Sequence, residues 1–182
     1  MPKTRGEWIA ATIVWLAVAA IIVAIVYPAC ATGGYRPGRT VSTLKVIAIA
    51  IQMYSEDHDG CIPMNGTWMD AIDPYLKNDR ALMDDSVPNR KEGDYGIAFY
   101  GPVSGINVKA VVNPESVPLV FQSSDLRRNA SSDLSTLPSP PRDFERNFVA
   151  FLDCHAKAMP PEWPTAPVVV IIDPALKEED RP

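Results

Sequence analysis

The strongest pattern in the chain is an uncharged apolar run near the N-terminus. From Trp8 to Tyr27 there is no charged residue. A helix rises 1.5 Å per residue, so this run would extend about 30 Å, the thickness of the hydrocarbon core of a bilayer. A helix also satisfies its backbone polar groups internally, as lipid requires. We therefore predict a transmembrane helix over residues 8–28, between a cytoplasmic leader-like segment, 1–7, and a linker, 29–39.

Charges on either side of this run bear on its orientation. Lys3 and Arg5 precede it, and Arg36 and Arg39 follow it. Cytoplasmic flanks of membrane spans are enriched in Lys and Arg, so together with the short N-terminal tail this pattern favours a cytoplasmic N-terminus. The prediction is a single-pass protein of the bacterial inner membrane with an extracytoplasmic C-terminal domain.

Two processing alternatives compete with a permanent anchor. A cleaved secretory signal has an apolar core of about 7–15 residues, which is shorter than this run. A lipoprotein signal would end at Cys30 after small residues. Residues 27–29 read Tyr-Pro-Ala, so only Ala29 fits that pattern.

Beyond the linker, apolar residues recur every three or four positions from Thr40 to Glu56. This periodicity predicts an amphipathic helix whose apolar stripe covers a sheet. Gly60 can end the helix in a left-handed conformation. The predicted stripe consists of Val41, Leu44, Ile47 or Ala48, Ile51, and Tyr54 or Ser55.

The remaining pattern predicts a short helix and several strands. Residues 68–76 read as the helix, and Ser123–Arg142, rich in Ser, Pro and Asp, reads as a long surface loop. β-branched and aromatic runs predict strands at Tyr95–Tyr100, Val108–Val112, Leu119–Gln122 and Phe148–Asp153, with an edge strand at Val168–Ile172. The predicted fold class is α+β, with a long N-terminal hydrophobic helix and a second amphipathic helix packed on a small antiparallel β-sheet. The domain covers 40–159 and a Pro-rich C-terminal extension covers 160–182.

Composition narrows the function classes. The net charge is -5 and the sequence pI is about 5.0, without a cluster of Lys and Arg. Nucleic-acid binding needs such a cluster to neutralise phosphates, so we expect no nucleic-acid partner. The 18 prolines predict many loops and few long helices beyond the N-terminal run.

Several short motifs carry a family resemblance over roughly residues 5–159. Residues 44–63 resemble an L-K-Q-I…Q-Y-x-x-D-x-D-G-x-F-P stretch, and residues 68–76 resemble W…L-x-P-Y-L. Tyr95-Gly96-Ile97 resembles a Y-G-Y-N strand. Residues 147–157 resemble N-x-A-F-x-D-G-H-V-K, with Cys154 in place of Gly. In this order the features resemble the pseudopilin-like proteins of bacteria, in the branch with a type IV pilin-like N-terminal methylation segment and a C-terminal D-G-H strand motif.

The N-terminus carries the same resemblance. Arg5-Gly6 before the apolar run resembles a prepilin leader junction, which implies processing between Gly6 and Glu7. Pro28 then falls at the family's proline position. Two positions differ from the family, since Glu7 replaces a methylated Phe and Ala11 replaces a Glu that aids subunit alignment. Thr40 and Asp84 occupy the places of two family cysteines, which implies that both halves of a disulfide were lost together.

The resemblance implies a structural function. The chain would be a membrane-anchored pseudopilin-like subunit of a secretion or pilus-type assembly, such as a type II secretion system. Its partners would be the lipid bilayer and other pseudopilin-like or envelope proteins. The alternative is a single-pass membrane protein that has left the filament and carries an extracytoplasmic ligand- or protein-binding domain.

Candidate chemistry is sparse. Asp57 and Asp59 resemble part of a calcium loop but lack the other ligands and the bidentate Glu. Asp153 and His155 would share one face of a strand, yet a zinc site needs about three protein ligands. We therefore predict no metal, no cofactor and no enzymatic activity, with these four residues as the metal candidates. Cys61 and Cys154 either pair in a disulfide or remain small buried thiols.

Overall fold

The computed structural model describes residues 37–142, 145–164, 168 and 170–173, together with Trp15, Leu16, Val18 and Ile21. Contacts divide the chain into two units, Met1–Tyr35 and Arg36–Pro182. All the helices and strands with described bounds belong to the second unit.

Helix α1 spans Pro37–Asp57. Proline suits the first position of a helix because its missing N–H would lack a partner there anyway. The predicted stripe is confirmed, since Leu44, Ile47, Ala48 and Ile51 are fully buried. The helix ends where the Gly60 amide donates to the Ser55 carbonyl over 2.7 Å, and Gly60 takes the predicted left-handed conformation with a φ of 85°.

A five-stranded sheet lies against α1. Its strands are β1 (Ile97–Tyr100), β2 (Pro118–Gln122), β3 (Ser131–Ser132), β4 (Asn147–Phe151) and β5 (Ala156–Met159). They lie in the order β3-β1-β2-β4-β5. Helix α1 packs on β2, β4 and β5. The β1–β2, β2–β4 and β4–β5 pairs are antiparallel, whereas β3 runs parallel to β1.

The three central strands are buried along their whole length. Every residue of β1, β2 and β4 is buried. Successive side chains of a strand point to opposite faces, so both faces of the sheet are covered. Helix α2 (Trp68–Ile72) contacts α1 and places Trp68 in the core beside Phe99.

The predicted fold class is wrong. It required a long hydrophobic N-terminal helix and an antiparallel sheet. Among the described residues, no helix is both long and apolar enough to cross a membrane. The sheet is mixed because the chain after β2 crosses to the outer side of β1 and forms β3 there, parallel to β1. The predicted span 8–28 lies outside the described residues apart from Trp15, Leu16, Val18 and Ile21.

The predictions of individual helices and strands were partly right. The predictions of the short helix at Trp68 and of the strands that overlap β1, β2 and β4 are confirmed. The strand predicted at Val108–Val112 is wrong, because the Asn107 side chain accepts from the Lys109 amide and holds a 3-10 turn at Val108–Ala110. In place of the predicted edge strand at Val168–Ile172, the described residues of this range form only one β-bridge, between Ile172 and Val111. The predicted loop Ser123–Arg142 contains β3.

Candidate functional site

Helix α1 carries a second apolar stripe on the face that points away from the sheet. Val46, Ile49 and Met53 are 45%, 50% and 45% exposed. Their spacing of three and four residues places them on one side of the helix. We call these three residues the outer stripe. Exposed clusters of large apolar side chains often mark interaction sites, so the outer stripe is a candidate docking surface.

Charged side chains border the outer stripe. Lys45 lies beside Val46, and Glu56 lies one turn beyond Met53; both are exposed. The first half of α1 carries basic residues, Arg39 and Lys45, and its end is acidic. A polar rim of this kind around an apolar centre is typical of protein interfaces.

An open polar groove adjoins the C-terminal end of α1. Its volume is about 490 Å³. Ligand pockets are usually lined mainly by apolar and aromatic side chains, and this groove is not. The lining residues are Gln52, Ser55, Glu56, Asp59, Gly60, Val108 and Lys109.

The calcium candidates Asp57 and Asp59 make hydrogen bonds at the C-terminal end of α1. The Tyr75 hydroxyl donates to Asp57 Oδ2 over 2.8 Å, and this bond to a carboxylate raises the pKa of Tyr75. Asp59 has a φ of 55°, and its backbone carbonyl accepts from Asn107 Nδ2 at 2.9 Å. In the part of the chain with described structure, no three His, Cys, Asp or Glu residues cluster closely enough to hold a metal ion.

Asp153 and His155 come together, but in a turn rather than along a strand. Residues 152–155 connect β4 to β5. Asp153 Oδ1 lies 2.5 Å from His155 Nδ1 and accepts from the His155 amide at 3.1 Å. The imidazole stacks on the Phe151 ring, with centroids 4.3 Å apart. This geometry fixes the turn and orients one imidazole.

Cys154 occupies a backbone conformation that favours glycine. Its φ is 67°, in the left-handed region. Its thiol donates to Gln52 Oε1 over 2.9 Å and so links the turn to α1. Burial, and then the nearby Asp153 carboxylate, raise the pKa of this thiol. Nucleophilic cysteines need the opposite shift, so the direction of this shift does not favour an activated thiol at Cys154.

Replacing Cys154 with glycine is expected to leave the domain more stable than replacing it with alanine. Gly removes the left-handed strain, which costs about 1 kcal/mol for an L residue, but also removes the thiol bond to Gln52. Cys154→Ala is the matched control because it loses the thiol and keeps the strain. In denaturant unfolding of the full-length protein, the free energy of unfolding of Cys154→Gly should be higher than that of Cys154→Ala by about 1 kcal/mol. Equal stabilities of the two variants would contradict the proposed backbone strain at position 154.

The candidate disulfide between Cys61 and Cys154 is absent. Both are free, half-buried thiols. Cys61 bridges Asn107 through the backbone, whereas Cys154 sits in the β4–β5 turn against Gln52. The two cysteines therefore lie against different parts of the fold.

A buried polar cluster centres on Asp84, whose side chain has no exposed surface. Asp84 Oδ1 accepts from the Thr40 hydroxyl at 3.2 Å, and Oδ2 accepts from Gln122 Nε2 at 2.9 Å. Arg142 Nη1 lies 3.3 Å from Oδ2, with 12% of its side chain exposed. Ser86 donates to Asp84 through both its amide and its hydroxyl. The cluster ties α1, β2 and the loop before β4 together.

Thr40 and Asp84 are thus in contact, 44 residues apart in sequence. They are the two positions that the resemblance assigned to a lost cysteine pair. In this chain the two positions are joined by a buried hydrogen bond to a carboxylate.

Sequence reasoning missed two groups of residues. The outer stripe had a signal, since its spacing of three and four residues is visible beside the predicted buried stripe. Arg142 and Gln122 had none, because only the folded chain brings the end of β2 and the loop after it to Asp84. Gly6 and Glu7, the predicted processing residues, lie outside the described residues.

Comparisons with family models, curated proteins and solved structures found no match to this chain.

Proposed function

We propose that the chain is a non-enzymatic, pseudopilin-like structural subunit, attached to the bacterial inner membrane by its apolar N-terminal segment. It packs against another pilin-like subunit through the outer stripe of α1. The observation that carries this proposal is the outer stripe itself, with three large apolar side chains about half exposed on a helix whose other side is already buried in the core.

The energetics support a helix-against-helix contact. Burying apolar surface contributes roughly 25 cal/mol per Å², so completing the burial of three half-exposed side chains contributes a few kcal/mol at most. Association of two free proteins must also offset lost translational and rotational freedom. A contact this small becomes effective when attachment to one membrane raises the local concentration of both partners.

Two structural details are consistent with the family resemblance. Thr40 meets Asp84 where the family places a cysteine pair. Cys154 is left-handed where the D-G-H motif places glycine. Ala11 replaces the Glu that aids subunit alignment in the family, and we infer that this chain enters assemblies as a minor subunit.

A second candidate function rests on the polar groove. Glu56, Asp59 and Lys109 line it, and both charge signs there suit a polar ligand or a peptide end. On this alternative the chain is a single-pass membrane protein with an extracytoplasmic binding domain. Mass measurement of the mature N-terminus separates the two functions. Cleavage after Gly6 supports the pilin route, and an intact Met1 without co-fractionating pilin-like subunits supports the alternative.

The docking surface is tested by placing a charge on it. Ile49→Asp in the full-length protein should abolish co-purification of pilin-like subunits from detergent-solubilised membranes, because a carboxylate cannot be buried unpaired in an apolar contact. Met64→Asp is the matched control, since Met64 is 62% exposed and lies outside α1. Undiminished co-purification with Ile49→Asp, or equal loss with both variants, would overturn the proposal.

A further inference from the structure

Asn65 and Gly66 form the centre of an exposed turn that leads into α2. The turn is closed by the Thr67 amide, which donates to the Met64 carbonyl over 3.1 Å. Asn65-Gly66 is the single Asn-Gly pair in the sequence. We propose that Asn65 is a site of spontaneous deamidation, a covalent modification that the proposed function does not require.

The reaction needs only water. The Gly66 amide nitrogen attacks Asn65 Cγ, a C–N bond forms, and the carboxamide nitrogen leaves as ammonia with the proton of that amide. The product is a five-membered succinimide. Water then adds to either ring carbonyl and opens the ring, which gives aspartate or isoaspartate at position 65. One neutral side chain becomes one carboxylate.

The turn leaves both reacting groups available. Among the described residues, neither the Asn65 carboxamide nor the Gly66 N–H is held by a hydrogen bond. The Asn65 amide N–H, which does not react, donates to Ser104 Oγ over 2.9 Å. Gly66 has no β-carbon to hinder the attack and is exposed to water.

Asn129 provides an internal control in the same chain. Its Oδ1 accepts from the Met69 amide at 2.7 Å, and its Nδ2 donates to Asp70 over 2.6 Å. The next residue, Ala130, is buried and carries a β-carbon. Both ends of the Asn129 carboxamide are therefore held away from the nitrogen that would attack it.

A matched variant slows the reaction without disturbing the fold. A β-carbon built on Gly66 meets no atom within 4 Å. Gly66→Ala should therefore fold normally while its methyl group hinders the attack.

The test is peptide mass spectrometry of the purified full-length protein, incubated in mildly alkaline buffer. A gain of one mass unit should accumulate at Asn65, as a mixture of aspartate and isoaspartate, while Asn129 stays unchanged. Gly66→Ala should slow the gain at least several-fold, with an unchanged unfolding curve. An unmodified Asn65, or equal rates in the wild type and Gly66→Ala, would overturn the proposal.

Discussion

Asp84→Ala is expected to lower the free energy of unfolding by about 3–5 kcal/mol, because it removes one member of a buried ion pair. Arg142 would keep its bonds to the carbonyls of Gly96 and Ser123 but lose its only counter-ion in the described part of the fold. The Thr40 hydroxyl and the Gln122 amide would each lose a hydrogen bond to an Asp84 oxygen. Denaturant unfolding followed by tryptophan fluorescence measures the difference.

Asp85→Ala is the neighbouring control. Asp85 pairs with Arg39, whose side chain is 60% exposed, and with Arg90, whose side chain is 25% exposed. Ion pairs at such positions contribute roughly 0–1 kcal/mol. Asp84→Asn adds a second test, since it keeps the shape while placing an amide donor among groups that already donate. If Asp84→Ala destabilises no more than Asp85→Ala, the cluster does not hold the fold as described.

Trp68→Ala is expected to cost about 3–5 kcal/mol through lost burial and the cavity left behind. The side chain is fully buried, with its ring 5.9 Å from that of Phe99. Its indole N–H donates to the Ala130 carbonyl over 3.0 Å, so the variant also leaves that acceptor without its partner. Thermal unfolding of the full-length protein in detergent measures the loss.

Trp163→Ala is the control for this prediction. Trp163 is only partly buried and meets Phe151 edge-on, with centroids 6.3 Å apart. The Trp163→Ala variant should therefore lower the unfolding temperature clearly less than Trp68→Ala does. A Trp68→Ala variant that unfolds at the same temperature as the wild type would show that Trp68 does not pack in the core as described.

The periodicity of the sequence was enough to predict α1 and the three central strands. These elements are long or strongly apolar, and burial by the rest of the domain agrees with their local pattern. β5 was missed because Ala156–Met159 reads Ala-Lys-Ala-Met, which favours a helix. It is a strand because it pairs with β4 from Asn147 to Ala150, a tertiary effect that outweighs local propensity.

The candidate site depends on tertiary structure in the same way. The apolar periodicity of α1 predicted one buried stripe. The spacing of Val46, Ile49 and Met53 is visible in the sequence, but only the packing of the sheet on the other side of α1 shows that these three side chains stay exposed. Asp153 and His155 were predicted on one face of a strand, but β4 ends at Phe151 and the turn brings them together instead.

The most direct test of the proposed function is photo-crosslinking from the outer stripe in native membranes. A photoreactive amino acid is placed at Ile49 or Met53 of the full-length chain, and at the exposed Glu115 as a control outside α1. Light should produce adducts from positions 49 and 53, but not from 115, and peptide mapping should locate the partner site on a helix of another pilin-like subunit. Monomer alone from both stripe positions, or the same adducts from position 115, would contradict the account.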